Sequence, residues 1–235
     1  MNSPNLLAAP ETLHPALWRA SQLAHAGTRC VDSGHPTLSP QLPGGGWPSG
    51  CLVELLLQQS GIGELRLLRP ALAKVAERRI VLLQPPHPPQ ALALAALGLS
   101  PSQLIWVRSA RNADALWAAE QVLRSGSCGA LLFWASHARP ESLRRLHLAA
   151  QGGEALFFLL RPLAAAQDAS PAPLRLSLRP ALGGLDIGFV KRRGPQRDAP
   201  LFLPLTPCLL QRHATLDRPL FAPPGARRVQ PALVG

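Results

Sequence analysis

Eight residues, Gln58-Gln59-Ser60-Gly61-Ile62-Gly63-Glu64-Leu65, occupy the place where this chain is best set up to do chemistry. They join an apolar run of strand length, Cys51–Leu57, to a stretch of helical periodicity that starts near Glu64. A phosphate-binding loop at such a junction reads GxxxxGK followed by Ser or Thr. Its backbone amides cradle the phosphates, its lysine reaches the β- and γ-phosphates, and its hydroxyl binds magnesium. With Gly63 at the second glycine, Gln58 falls on the first, Glu64 on the lysine and Leu65 on the hydroxyl. Glu64 sets negative charge where a nucleotide is most negative, and Leu65 cannot ligate a metal. The amides around Gly61 and Gly63, at a helix N-terminus, keep the geometry for a weakly held anion. Many loops that bind nothing share that feature.

Two further parts of the same machinery are missing. In nucleotide-hydrolysing proteins that carry such a loop on this order of elements, a metal-linked aspartate closes the fourth apolar run, here 129–134, yet Trp134 or Ala135 stands there, depending on register. A glutamate that orients attacking water should follow the second run, 79–83, where the chain reads Gln84-Pro85-Pro86-His87. His87 is the one ionisable side chain nearby, and it reads as a loop histidine before it reads as a base. The joint loss of three parts predicts a site that does not hydrolyse ATP. Ser136-His137 lacks the small-residue elbow of a strained nucleophile. Cys30, Cys51, Cys128 and Cys208 lie too far apart for a zinc motif and read as small hydrophobes in a reducing compartment. No metal or cofactor is expected.

The net charge is +11, carried almost wholly by arginine; Lys74 and Lys191 are the only lysines. Such a balance suits nucleic acid or an acidic protein surface. Arg139, Arg144 and Arg145 share a helical stretch with His147, and Lys191, Arg192 and Arg193 stand together with Arg197 close by. Arginine matches phosphate geometry in two places at once, while a solvated helix face explains Arg144 and Arg145 equally well. Trp106, Trp117 and Trp134 fall within expected strands or a helix and are assigned to the core. Trp47, in a turn-rich approach, is the candidate for base stacking.

These residues are positioned by a regular alternation. Apolar runs at 51–57, 79–83, 104–107, 129–134 and 155–160 alternate with helical stretches at 64–78, 89–97, 111–125 and 140–150. That order predicts an α/β fold, a mostly parallel sheet covered by helices on both faces. Leu174–Leu178 and Leu185–Val190 alternate in polarity around Gly183-Gly184, which predicts an antiparallel C-terminal extension. The organisation is then an N-terminal helical segment over 1–30, with an amphipathic helix at 12–27. A single domain follows over 31–195, and then a proline-rich tail over 196–235 that docks on a partner or on its own domain. Everything past Lys191 reads as loosely organised. The first twenty residues, with Pro4, Pro10, Glu11 and Pro15, lack a secretory pattern, and the most apolar window, Ala91–Leu99, is too short to cross a bilayer; the cytoplasm is expected.

The strings LPGGGWPSG at 42–50, SGIGEL at 60–65, LLRPALA at 67–73 and LRRLHLAAQGGEALFFLLRP at 143–162 occur in this order. Through them, and over roughly residues 12–195, the chain resembles the ImuA family. These are RecA-superfamily accessory proteins of damage-induced mutagenesis, also described as SulA-like. The resemblance implies a RecA-like domain without catalysis, acting in a translesion DNA synthesis complex. Its implied partners are an ImuB-like, Y-family-related protein, a C-family DNA polymerase and the RecA recombinase; the basic residues add a weak direct DNA contact as an open expectation. Two other readings stay open: a regulatory interaction protein of the cell-division-inhibitor type, and a RecA-like protein that retains weak nucleotide binding.

Overall fold

Strand β3, Leu52–Leu57, is buried along its whole length, although Glu54 sits in its middle. Only a strand paired on both sides and covered on both faces explains that pattern. The computed structural model describes residues 29–193 and 197–205 and supplies both kinds of cover. β3 pairs in parallel with β7 (Leu156–Pro162) on one side and with β8 (Leu174–Ala181) on the other. Beyond β7 come β6 (Cys128–Trp134), β4 (Arg79–Leu83) and the edge strand β5 (Leu104–Val107), all parallel. Beyond β8 come β9 (Gly184–Lys191) and β10 (Leu201–Pro204), both antiparallel to their neighbours. The eight strands run in the order β10-β9-β8-β3-β7-β6-β4-β5. This is the expected α/β architecture with its antiparallel extension.

The alternation of side chains along each strand divides the core into two layers. Val53, Leu55, Leu132 and Phe158 pack under α1 (Glu64–Lys74) and α2 (Ala91–Ala96), where Leu67, Leu68, Leu72 and Leu94 meet them. Leu52, Val81, Phe133 and Phe157 face α3 (Asn112–Ser125) and α4 (Pro140–Gln151), through Leu116, Leu123, Leu143 and Leu146. α1 stops at Lys74, four residues short of the expected end, because residues 75–78 turn into β4; the Arg78 amide donates to the Val75 carbonyl at 3.1 Å. Pro70 lies inside α1 and does not delay its start.

Three aromatic assignments need correction. Trp47 is fully buried, not a stacking platform. With Pro48 it forms β2, paired to β1 (Cys30–Val31), and its ring meets Phe158 edge-on at 5.3 Å and 89°. The apolar end of the indole outweighs the turn residues around it. Trp117 is 62% exposed on the outer face of α3, and Trp106 is 48% exposed because β5 is an edge strand with no neighbour to cover it.

The chain past Lys191 is also more ordered than expected. β10 lies within the proline-rich tail, and Leu203 and Leu205 are buried in the core, so this part packs on its own domain. The amphipathic helix expected at 12–27 and the tail beyond 205 lie outside the described residues. Among the described residues, no helix is long and apolar enough to cross a membrane.

Candidate functional site

The loop 58–63 leaves the C-terminal end of β3 and enters α1 at Glu64. Gly61 (φ +84) and Gly63 (φ +123) take backbone conformations that turn their amides inward. The Glu64 carboxylate folds back onto those amides. Gly61 N–H donates to Oε1 at 2.9 Å and to Oε2 at 3.1 Å, and Gly63 N–H donates to Oε2 at 3.1 Å. Glu64 is 4% exposed. The residue at the expected lysine position therefore supplies an anion from within the loop, held on the loop's own amides. The amides at Gly61 and Gly63, expected from the sequence to remain open for a weak anion, are already engaged. Leu65, at the hydroxyl position, packs against the core, while Gln58 is exposed at the loop's start.

Beside this loop, the ends of β3, β4, β6 and β7 frame a cleft of about 560 Å³ lined by Gln58, Ser60, Gln84, Trp134, His137 and Arg161, among others. Gln84 is the single non-glycine residue with positive φ (55°) among the described residues. Its side-chain amide donates to the Ser109 carbonyl at 2.6 Å, and its backbone amide to the Val107 carbonyl at 2.9 Å. The strained residue thus ties the end of β4 to the loop after β5 instead of orienting a water. Trp134 turns a buried indole N–H toward no acceptor, and His87 is exposed. Among the described residues, no group of three His, Cys, Asp or Glu side chains is placed to hold a metal ion.

Under the cleft lies a buried ionic network that sequence reasoning missed. Glu54 on β3 is fully buried. Its Oε2 accepts from Arg175 Nε at 2.6 Å, its Oε1 from Ser170 Oγ at 2.9 Å, and Arg161 Nη1 stands 3.5 Å from Oε1. Arg175 also donates to the carbonyls of Ala165 and Ala166 at 2.8 and 3.2 Å, and Arg161 to Asp168 at 2.7 Å. Three neighbouring strands and the 3₁₀ turn Leu163–Gln167 are pinned together by these charges. The signal was one glutamate inside an otherwise apolar run, which demands a buried partner.

Lys191 and Arg193 both lie near His147 of α4, while most of the basic candidates also hold contacts within the fold. Lys191 donates to the Ser170 carbonyl at 3.1 Å. Arg192 donates to the Gln41 carbonyl at 2.8 Å and lies 5.0 Å over the Phe189 ring, so it serves the fold. Arg193 lines a pocket elsewhere, and Arg197 donates to the Ala199 carbonyl at 2.9 Å. On α4, Arg145 pairs with Glu120 of α3 at 3.2 Å, whereas Arg144 is exposed.

No protein-family model matches the chain. A 98-residue stretch, 41% of the chain, is 32% identical to the cell division inhibitor SulA of Edwardsiella piscicida. The match spans 58% of that protein's length.

Proposed function

We propose that the chain is a non-catalytic accessory of a damage-induced translesion DNA synthesis complex, working through protein contacts. The observation that carries this reading is the Glu64 carboxylate seated on the Gly61 and Gly63 amides, which supplies an anion from within the loop. The strand order supports a RecA-like domain, and the residues that would bind a nucleotide's metal or activate water are replaced by Leu65, Gln84 and Trp134. The partners that follow from the resemblance are an ImuB-like, Y-family-related protein, a C-family polymerase and RecA. The second reading, a cell-division inhibitor, is favoured by the 98-residue likeness to SulA. Affinity capture of the tagged chain from cells treated with a DNA-damaging agent separates them. The first reading expects the polymerase-related proteins to be retained; retention of a division protein in their place overturns it in favour of the second.

The contacts that Lys191, Arg192, Arg197 and Arg145 make within the fold favour recruitment by protein over recruitment by DNA. Lys191 and Arg193 are the members of the 191–193 run whose loss leaves the Arg192 contacts intact. A Lys191→Ala/Arg193→Ala variant is expected to leave DNA affinity unchanged in fluorescence anisotropy across a salt series. If both residues contacted duplex phosphates, the slope of log K against log salt would fall by about 0.9 for each. Tight binding by the wild type at physiological salt, lost in this variant, contradicts the expectation.

A further inference from the structure

A second pocket, of about 410 Å³, opens at the opposite end of the sheet from the Gln58–Leu65 loop, beside the starts of β3 and β8. Its walls come mainly from residues within 43–51 and 147–154, with Arg29, Pro173, Leu174 and Arg193 completing them. They are held together by close backbone approach. A Cβ at Gly50 would lie 2.6 Å from the Gly153 carbonyl oxygen, and the Gly50 amide donates to the Ala155 carbonyl at 3.0 Å. The pocket is therefore a feature of the framework and not a gap between loose loops.

Its polar side chains include Arg29, Ser49, His147, Gln151, Glu154 and Arg193. His147 Nδ1 accepts the Leu52 amide at 3.2 Å, which puts the proton of the neutral ring on Nε2. Burial, with Arg193 and Lys191 nearby, holds the His147 pKa below its ordinary value and keeps the ring neutral. Gln151 Nε2 stands 3.4 Å from His147 Nε2, which sets donor against donor. Only its oxygen complements that N–H, and an amide's two ends exchange by a half turn. With that half turn the Gln151 oxygen accepts from His147 Nε2–H, and the NH₂ group of this exposed side chain is left as a donor at the pocket that both residues line. Cys51 stays a thiol, its pKa pushed up to about 11, chiefly by burial. At the rim, Arg29 and Glu154 neutralise each other. Arg193 is the cation of this pocket with no carboxylate partner among the described residues.

We propose that this pocket binds a small molecule by an oxyanion group, phosphate or carboxylate, held by Arg193 and the Gln151 amide. The prolines at 43, 48 and 173 face its apolar part. His147 is a positioning residue that fixes the Gln151 orientation. The inference is independent of the proposed function, since it uses none of the loop residues 58–65.

Inorganic phosphate and citrate, titrated separately into the full chain at constant ionic strength, test it by NMR of the Gln151 side-chain amide and the His147 ring. One probe is expected to give saturable shifts at both groups, and which one does so assigns the oxyanion. Arg193→Ala and Gln151→Leu should each weaken that binding by about tenfold, the scale of one charge-assisted hydrogen bond, while Arg144→Ala leaves it unchanged. Thermal midpoints equal to wild type keep the reading free of folding effects, and the two variants serve as alternates should one fail to fold. Shifts that never saturate with either probe, or that persist unchanged in both pocket variants, overturn the proposal.

Discussion

Glu54→Gln is expected to destabilise the domain by about 3–5 kcal/mol, the cost of stranding buried charge when one partner is removed. The substitution keeps the shape of the side chain and deletes its charge. The amide keeps one oxygen that accepts from Arg175 or Ser170, while its NH₂ group meets the donor left over. Arg175, 5% exposed, then has no carboxylate partner, and Arg161, 3% exposed, has Asp168 alone. Against a typical domain stability of about 5–15 kcal/mol, such a loss leaves a marginal protein. Arg161→Met should cost less than Glu54→Gln, because Arg161 is the poorest-satisfied member: its Nε is buried without an acceptor, and its Nη1 lies too far from Glu54 for a hydrogen bond. Replacing Glu54, Arg161 and Arg175 together by Leu or Met should recover most of the loss, since no charge is then left alone. Urea unfolding of the three proteins checks the order. A midpoint for Glu54→Gln equal to wild type would show that the network does not hold the three strands together.

Phe133→Ala is expected to be as severe, about 3–5 kcal/mol, through the cavity it opens. Phe133 is fully buried in β6, which has strands on both sides, and its ring belongs to the layer under α3 and α4. Neither the sheet nor the helices can close over the gap without breaking the ladders from β6 to β4 and β7. Chemical denaturation of this variant beside Trp117→Ala gives an internal control. The 62% exposed Trp117 should lose well under half as much. Equal losses would mean that burial, as described for these two aromatics, does not set their energetics.

The sheet was legible because each buried parallel strand leaves an apolar run bounded by turn residues, and five such runs alternate with helical stretches. Strand β10 was not, since Pro200 and Pro204 mask a two-sided pattern only four residues long. Trp47 and Trp106 exchanged their expected environments for a related reason: local composition reports the element, while exposure depends on which strands end up at an edge. In the candidate site, the loss of lysine and hydroxyl at Glu64 and Leu65 could be read directly from the motif. The return of the Glu64 carboxylate to its own loop could not, because it depends on the positive φ of Gly61 and Gly63 and on the entry angle of α1. The Glu54 network needed contacts between residues more than a hundred positions apart. A run such as 191–193 looks like one patch in sequence, yet Arg192 turns to Gln41, while Lys191 donates to Ser170 and stays with Arg193 near His147.

The central claim is that Glu64 stands in for a phosphate and leaves the loop without a nucleotide. Calorimetric titration of the full chain with ATP and magnesium tests it most directly. No saturable heat up to millimolar nucleotide and no turnover are expected, and Glu64→Lys should create no hydrolysis, because Leu65 and the carboxylate-free ends of β4 and β6 remain. Magnesium-dependent ATP binding by the wild type at micromolar nucleotide, or turnover that Glu64→Ala abolishes, would contradict it.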